Sequence, residues 1–214
     1  AQEKIIIKGG TLVDVREGYL TEGAVITIHG DRIVSVSNTD NGTLSKGISI
    51  DATGKYILPG LIDLHIHYDD WAGELYLNHG VTTVVDLGNV YEWIKAQKRG
   101  IESGLIPGPR LFHATENLDG PTDGGLTKRV VRTITNPKLA KLLMSQYIKD
   151  GVDAVKVYDQ LSEEVLRVIV AEAKKDNLPV IGHFKDVRVA ARVGAHGIEH
   201  TSAVANAIVD EPSM

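Results

Sequence analysis

Two hydrophobic rhythms divide the chain. Over roughly the first fifty residues the apolar positions form short runs broken by turn residues, with no helical period: Ile5 to Ile7 before Gly9-Gly10, Thr11 to Val15, then Ala24 to Ile28 and Ile33 to Val36 on either side of His29-Gly30-Asp31. Such runs predict strands, and the Gly-Asp pair between two of them predicts a hairpin. The polar, glycine-containing stretch 38–47 predicts a loop. From Leu58 onward, apolar runs alternate with amphipathic stretches. The runs are Leu61 to Ile66, Thr82 to Leu87, Arg110 to Ala114, Ala154 to Tyr158, Pro179 to Gly182 and Gly197 to Ile198. Between them Pro137 to Lys149 and Ser162 to Lys175 read as helices, the second with Ser162 as N-cap and Glu163 and Glu164 in its first turn. Strands alternating with helices predict βα units on a parallel sheet. The expected organisation is a β module over residues 1–57 and an α/β domain over residues 58–214.

In a parallel α/β fold, chemistry gathers at the carboxyl ends of the strands. The first run ends His65-Ile66-His67. Period-two alternation puts both imidazoles on one face, with Asp63 beneath them on the same face. Two imidazoles on one rigid strand can grip a divalent ion. The fifth run ends in His183 and the sixth in His200. A lone histidine at a strand end is more often a hydrogen-bonded rim residue than a ligand, but three of six runs ending in histidine, in a chain with only eight, point to a metal centre. Lys156 stands alone among apolar residues in the fourth run. In isolation such a lysine snorkels towards an ion pair. Beside metal ions it meets an electrostatic objection: two unit charges about 4 Å apart interact by roughly 4 kcal/mol at an effective dielectric of about 20, and a divalent ion doubles that. The amine must therefore lose its proton or be converted by carbon dioxide to an anionic carbamate, whose two oxygens can bridge a metal pair.

His113, which closes the third run and opens the glycine-rich stretch 119–125, is a candidate substrate contact; Tyr158, able to donate a hydrogen bond, is another. Asp86 ends the second run and either orients a ligand histidine or caps the strand. His29 and His79 lie in turn segments and read as solvated, and His196, at the amino end of the sixth run, reads as structural.

Charge narrows the partners. With 23 Lys and Arg against 28 Asp and Glu among 214 residues the formal charge is −5, and no basic run offers a footprint for nucleic acid or an anionic membrane. A small neutral or cationic substrate fits better. The absence of cysteine removes disulfides, thiolate metal sites and a cysteine nucleophile together. No run approaches the roughly 18 apolar residues of a membrane span, and the start AQEKIII lacks a signal-peptide pattern. Cytoplasmic, periplasmic and secreted locations all stay open. Neither GxxxxGK[ST] nor GxGxxG is present to bind phosphate.

The segments LPGLIDLHIH (58–67), GVTTVVDLG (80–88), GVDAVKVYD (151–159), LPVIGHFK (178–185) and GAHGIEHTS (194–202) together resemble the amidohydrolase superfamily of metal-dependent hydrolases, in its imidazolonepropionase-like and prolidase-like branch. IIIKGGTLVDV followed by GDRIVSV resembles that family's β-sandwich domain. The resemblance implies a (β/α)8 TIM barrel, about six of whose βα units fit into this chain, preceded by a small β-sandwich. It implies that His65 and His67 hold the more buried of two divalent metals, that His183 and His200 hold the more exposed one, and that Lys156 bridges them as a carbamate. Nitrogen and oxygen donors fit zinc best.

The implied reaction is hydrolysis of an amide bond in a cyclic amide, an N-acyl amino acid or a dipeptide, with a hydroxide shared by the metals as nucleophile. Lys156, His183 and His200 would form the catalytic centre, with His113 and Tyr158 on the substrate. The family pattern adds an aspartate at the end of an eighth strand as general base. Asp210 and Glu211 lie in what should be the helix after the sixth run and do not fill that role. Residues 58–214 are too few for a barrel protein of about 250 residues, so either a homo-oligomer or association with further polypeptide, from the same gene or a partner, is expected. The same centre would also attack a lactone or a phosphoester, and a metal-binding fragment or scaffold without activity of its own is the non-enzymatic alternative.

Overall fold

The computed structural model describes residues 4–38, 47–121 and 130–209. Residues 39–46 of the expected loop, 122–125 of the glycine-rich stretch, and Asp210 and Glu211 lie outside them. The chain divides into two compact units, Ala1–Gly60 and Leu61–Met214.

The first unit holds β1 (Lys4–Val13), β2 (Leu20–His29), β3 (Arg32–Ser37), β4 (Ile48–Asp51) and β5 (Tyr56–Ile57) in one sheet of order β3-β2-β1-β4, with β5 also paired to β1. The hairpin is where the sequence places it: His29 pairs with Arg32 across a turn whose Gly30 has φ 61°. The break expected at Gly9-Gly10 is absent. β1 runs straight through, its register against β2 shifting on either side of Gly10, with Gly9 at φ 83°. The glycines serve a bulge and a close approach rather than a turn, since a Cβ on Gly9 would stand 2.6 Å from Thr53 Oγ1. A sandwich needs two facing sheets, and the described residues of this unit form one.

The second unit runs β6 (Leu61–Ile66), α1 (Gly73–Asn78), β7 (Val81–Asp86), α2 (Tyr91–Glu102), β8 (Arg110–His113), β9 (Asn117–Asp119), β10 (Val131–Thr133), α3 (Pro137–Asp150), β11 (Val155–Val157), α4 (Glu163–Lys175), β12 (Val180–Gly182), α5 (Val187–Val193), β13 (Gly197–Ile198) and α6 (Ser202–Val209). Each of the six apolar runs contains a strand. Pairing is parallel throughout, in the orders β6-β7-β8 and β10-β9-β11-β12-β13. A parallel bridge from Ala114 to Ala154 joins the end of β8 to the start of β11. This is an α/β fold with parallel sheets, consistent with part of a TIM barrel.

Two helices anchor the sheet that carries Lys156. α3 starts at Asn136, whose side chain accepts the Leu139 N–H, has Pro137 in its first turn, and stops at left-handed Gly151. α4 starts at Ser162, which accepts the Val165 N–H. Their apolar faces bring Met144 and Ile169 against Val155, Val157 and Val180, all fully buried. Val155 and Val157 are part of that core, so alternation turns Lys156 to the opposite face of β11. Among the described residues no helix is long and apolar enough to cross a membrane.

Candidate metal centre

The ends of β6, β11, β12 and β13 bring together six of the seven residues expected in the site. The His65 ring lies 5.6 Å from His67, edge-on, and 5.4 Å from His200; His200 in turn stacks on His183 at 5.1 Å. The Tyr158 ring meets His183 edge-on at 4.3 Å, and Lys156 Nζ is 5.6 Å from the centre of the Tyr158 ring. His67 Nδ1 is 2.9 Å from the Gly88 carbonyl oxygen. A carbonyl only accepts, so this nitrogen carries the proton and Nε2 keeps its lone pair free. His65 Nδ1 pairs with Glu199 Oε2, which leaves its Nε2 free in the same way. His200 sits at φ 61°, a left-handed conformation costing a non-glycine residue about 1–2 kcal/mol. Backbone strain of this kind concentrates at functional sites.

Two orphaned nitrogens mark the floor of the cluster. Lys156 is fully buried, its Nζ has no hydrogen-bond partner among the described residues, and burial pulls its pKa down to about 8 against the opposing charge of Glu199. Just past the end of the neighbouring strand, His183 Nδ1 is likewise buried and without a hydrogen-bond partner among the described residues. Burial first, then the charges of Lys156 and His200, hold its pKa down to about 4. His183 is therefore neutral at pH 7 and able to donate a lone pair. Unsatisfied buried groups cost about 1–3 kcal/mol each, and a divalent cation is a partner that suits both a neutral imidazole and a lysine converted to an anion. Among the described residues no three His, Asp or Glu side chains stand in ready-made ligating geometry. The rings pack on one another instead of converging their nitrogens. The fit to a metal thus rests on the orphaned nitrogens and on donor chemistry.

Asp63 does not reach the imidazoles; its Oδ1 accepts the backbone N–H of His65 at 3.1 Å. Asp86 is fully buried and accepts from Tyr68 N at 2.7 Å, Gly88 N at 3.1 Å and the Asn89 side chain at 3.1 Å. Burial pushes its pKa up while those bonds and His67 pull it down. It caps the ends of β6 and β7 and is linked to His67 through Gly88, whose N–H it accepts and whose carbonyl accepts a hydrogen bond from His67 Nδ1–H. Gly88 has φ 127°, and a Cβ there would lie 2.1 Å from Asn117 Oδ1. His113 is buried, bonds Ala114 O at 3.0 Å and packs against Tyr91 rather than the four histidines; burial lowers its pKa. His196 Nδ1 accepts the Val180 N–H at 3.1 Å, a sheet-bracing contact.

Glu199 is the participant that sequence reasoning missed. Alternation assigns Glu199 and His200 to opposite faces, but the left-handed backbone at His200 breaks the alternation and both side chains meet His65. The available signal was an acid directly before a strand-closing histidine.

The model of the amidohydrolase family matches residues 56–210. The chain belongs to the amidohydrolase family. Among amidohydrolases and their relatives it is similar to an adenine deaminase of Chelativorans sp. (strain BNC1), 24% identical over 228 aligned positions that cover 99% of this chain and 37% of that protein. A dihydroorotase of Thermoanaerobacter sp. (strain X514) is 41% identical over 64 residues, covering 30% of this chain and 14% of that one. In structure the chain resembles a prolidase crystallised with N-methylphosphonate-L-proline, with a TM-score of 0.80, 25% identity, and coverage of 92% of this chain and 60% of that one.

Proposed function

We propose that the protein is a metal-dependent hydrolase that cleaves an amide bond, in a cyclic amide, an N-acyl amino acid or a dipeptide. The observation that carries this reading is Lys156: a fully buried, unpartnered amine with its pKa drawn to about 8, beside histidines from three other strands. Two divalent ions, zinc by donor preference, would supply a hydroxide near neutral pH and polarise the scissile carbonyl. His65 and His67 would hold one and His183 and His200 the other, with Lys156, carboxylated by carbon dioxide, bridging them. At pH 7 roughly a tenth of a lysine with this pKa is neutral, enough to react with carbon dioxide. Tyr158 keeps its proton, because burial and the charges of Asp119, Asp159 and Glu199 raise its pKa, and it stands ready to donate to the substrate. His113, neutral and buried at the end of β8, is the second proposed substrate contact. The names of the relatives given above, an adenine deaminase, a dihydroorotase and a prolidase, support the amide reading over esters.

The parallel strands are read as six βα units of a (β/α)8 barrel, and the first unit's sheet as part of a β-sandwich. In the described residues β6 pairs only with β7 and exposes Leu61, Ile62 and Leu64, each by 60% or more. An edge this apolar calls for cover, by further polypeptide of the same gene, a partner chain or a second copy. Zinc-loaded protein assayed side by side on N-acyl amino acids, dipeptides, cyclic amides, lactones and a phosphotriester tests the reading. Amide turnover at least tenfold above the others is expected; activity confined to lactones or phosphoesters would overturn it.

A further inference from the structure

Glu199, whose side chain is 14% exposed, meets the Nδ1 of His65 through its carboxylate. The two residues lie 134 positions apart in the chain and belong to the ends of β6 and β13, the first and last strands of the second unit. We propose that Glu199 is a positioning residue: by accepting a hydrogen bond from His65 Nδ1–H it fixes the tautomer and ring orientation that present Nε2 to the metal centre. The proposal rests on the metal-site reading.

Three features of the structure support it. The contact has the form of a carboxylate–histidine pair, in which the carboxylate raises the basicity of the nitrogen facing the metal. His67 obtains the same tautomer from the Gly88 carbonyl, 2.9 Å from its Nδ1, so the two histidines of β6 are prepared alike by different acceptors. His200 adopts φ 61° immediately after Glu199, and this unfavourable conformation is what lets Glu199 and His200 approach His65 from the same side. A residue serving only to close the end of the sheet would need neither the carboxylate nor the strained neighbour.

The test uses the full chain and has two readouts. In metal-free protein, imidazole 15N shifts report the His65 tautomer, assigned with His65→Gln. The Nδ1–H form is expected to dominate in the wild type and to give way to a mixture in Glu199→Ala. Zinc affinity, measured by competition with a chelator, is expected to fall ten- to hundredfold in Glu199→Ala and to recover in part in Glu199→Asp. Glu199→Leu keeps much of the side-chain volume while removing the acceptor, and gives the same comparison if the alanine variant does not fold. A His65 tautomer that does not change in Glu199→Ala or Glu199→Leu overturns the proposal, whatever happens to affinity: a loss of affinity with an unchanged tautomer would make Glu199 a ligand. If wild-type protein takes up no zinc, the metal-site reading fails, while the tautomer comparison still decides the role of Glu199.

Discussion

Lys156 lies between Val155 and Val157, all three fully buried, and its amine meets no hydrogen-bond partner among the described residues. In the metal-free protein that arrangement opposes folding. The native pKa of about 8 is below the 10.5 of an unperturbed lysine, so between those values the unfolded chain binds more protons than the native one. Stability therefore rises with pH across that window, and the penalty, up to about 3 kcal/mol, is fully present below pH 8. Lys156→Met should raise the Tm of metal-free protein at pH 7, flatten the rise between pH 8 and 10.5, and abolish high-affinity zinc binding. A lower Tm in the variant would show that the amine is stabilising. Lys156 and the four histidines were legible because each closes or interrupts an apolar run, a contrast that survives in one dimension. Glu199 was not, because a single left-handed residue moved it to the other face. Nor was the role of Asp86, since its position at a strand end does not say which N–H groups it meets.

At the scale of elements, the loop after β7 carries more of the site than its length suggests. Gly88 has φ 127°, lies against Asn117 and offers the carbonyl that orients His67. Gly88→Ala is expected to cost at least about 2 kcal/mol and to weaken zinc binding together with stability; adding Asn117→Ala should restore part of both, and an unchanged Tm in the single variant would contradict the geometry. Asn136→Ala, which removes the cap of α3, is expected to cost about 1 kcal/mol, or some 2–4 °C in Tm, and to leave zinc affinity within twofold. While β4 and the capped helix α5 were not read, the strands of the six apolar runs, down to the two-residue β13, were readable from periodicity, and α3 and α4 from their helical pattern. β9 and β10 were not: each is three residues long, and β9, Asn117-Leu118-Asp119, is buried despite two polar side chains, so neither alternation nor apolarity announces it. The bulge in β1 was hidden for a related reason, because a glycine pair reads the same whether it turns a chain or admits a close neighbour.

For the whole molecule, the alternation of strands and helices was enough to anticipate parallel sheets, since that connectivity leaves few other arrangements. What covers the outer edge of β6 lay beyond it, because one chain's pattern shows that an edge is apolar without showing its occupant. The chain spans 37% of the adenine deaminase and 60% of the prolidase to which it is similar. Its own contribution is the nitrogen-rich end of the sheet, so the central claim is that His65, His67, Lys156, His183 and His200 form one metal site. The most direct measurement is the zinc content of the chain after reconstitution in bicarbonate buffer and gel filtration, compared with His65→Ala and His183→Ala. Occupancy approaching two zinc ions per chain, falling below one in either variant, is the predicted result. Wild-type occupancy below one, or the same occupancy in all three proteins, would contradict it.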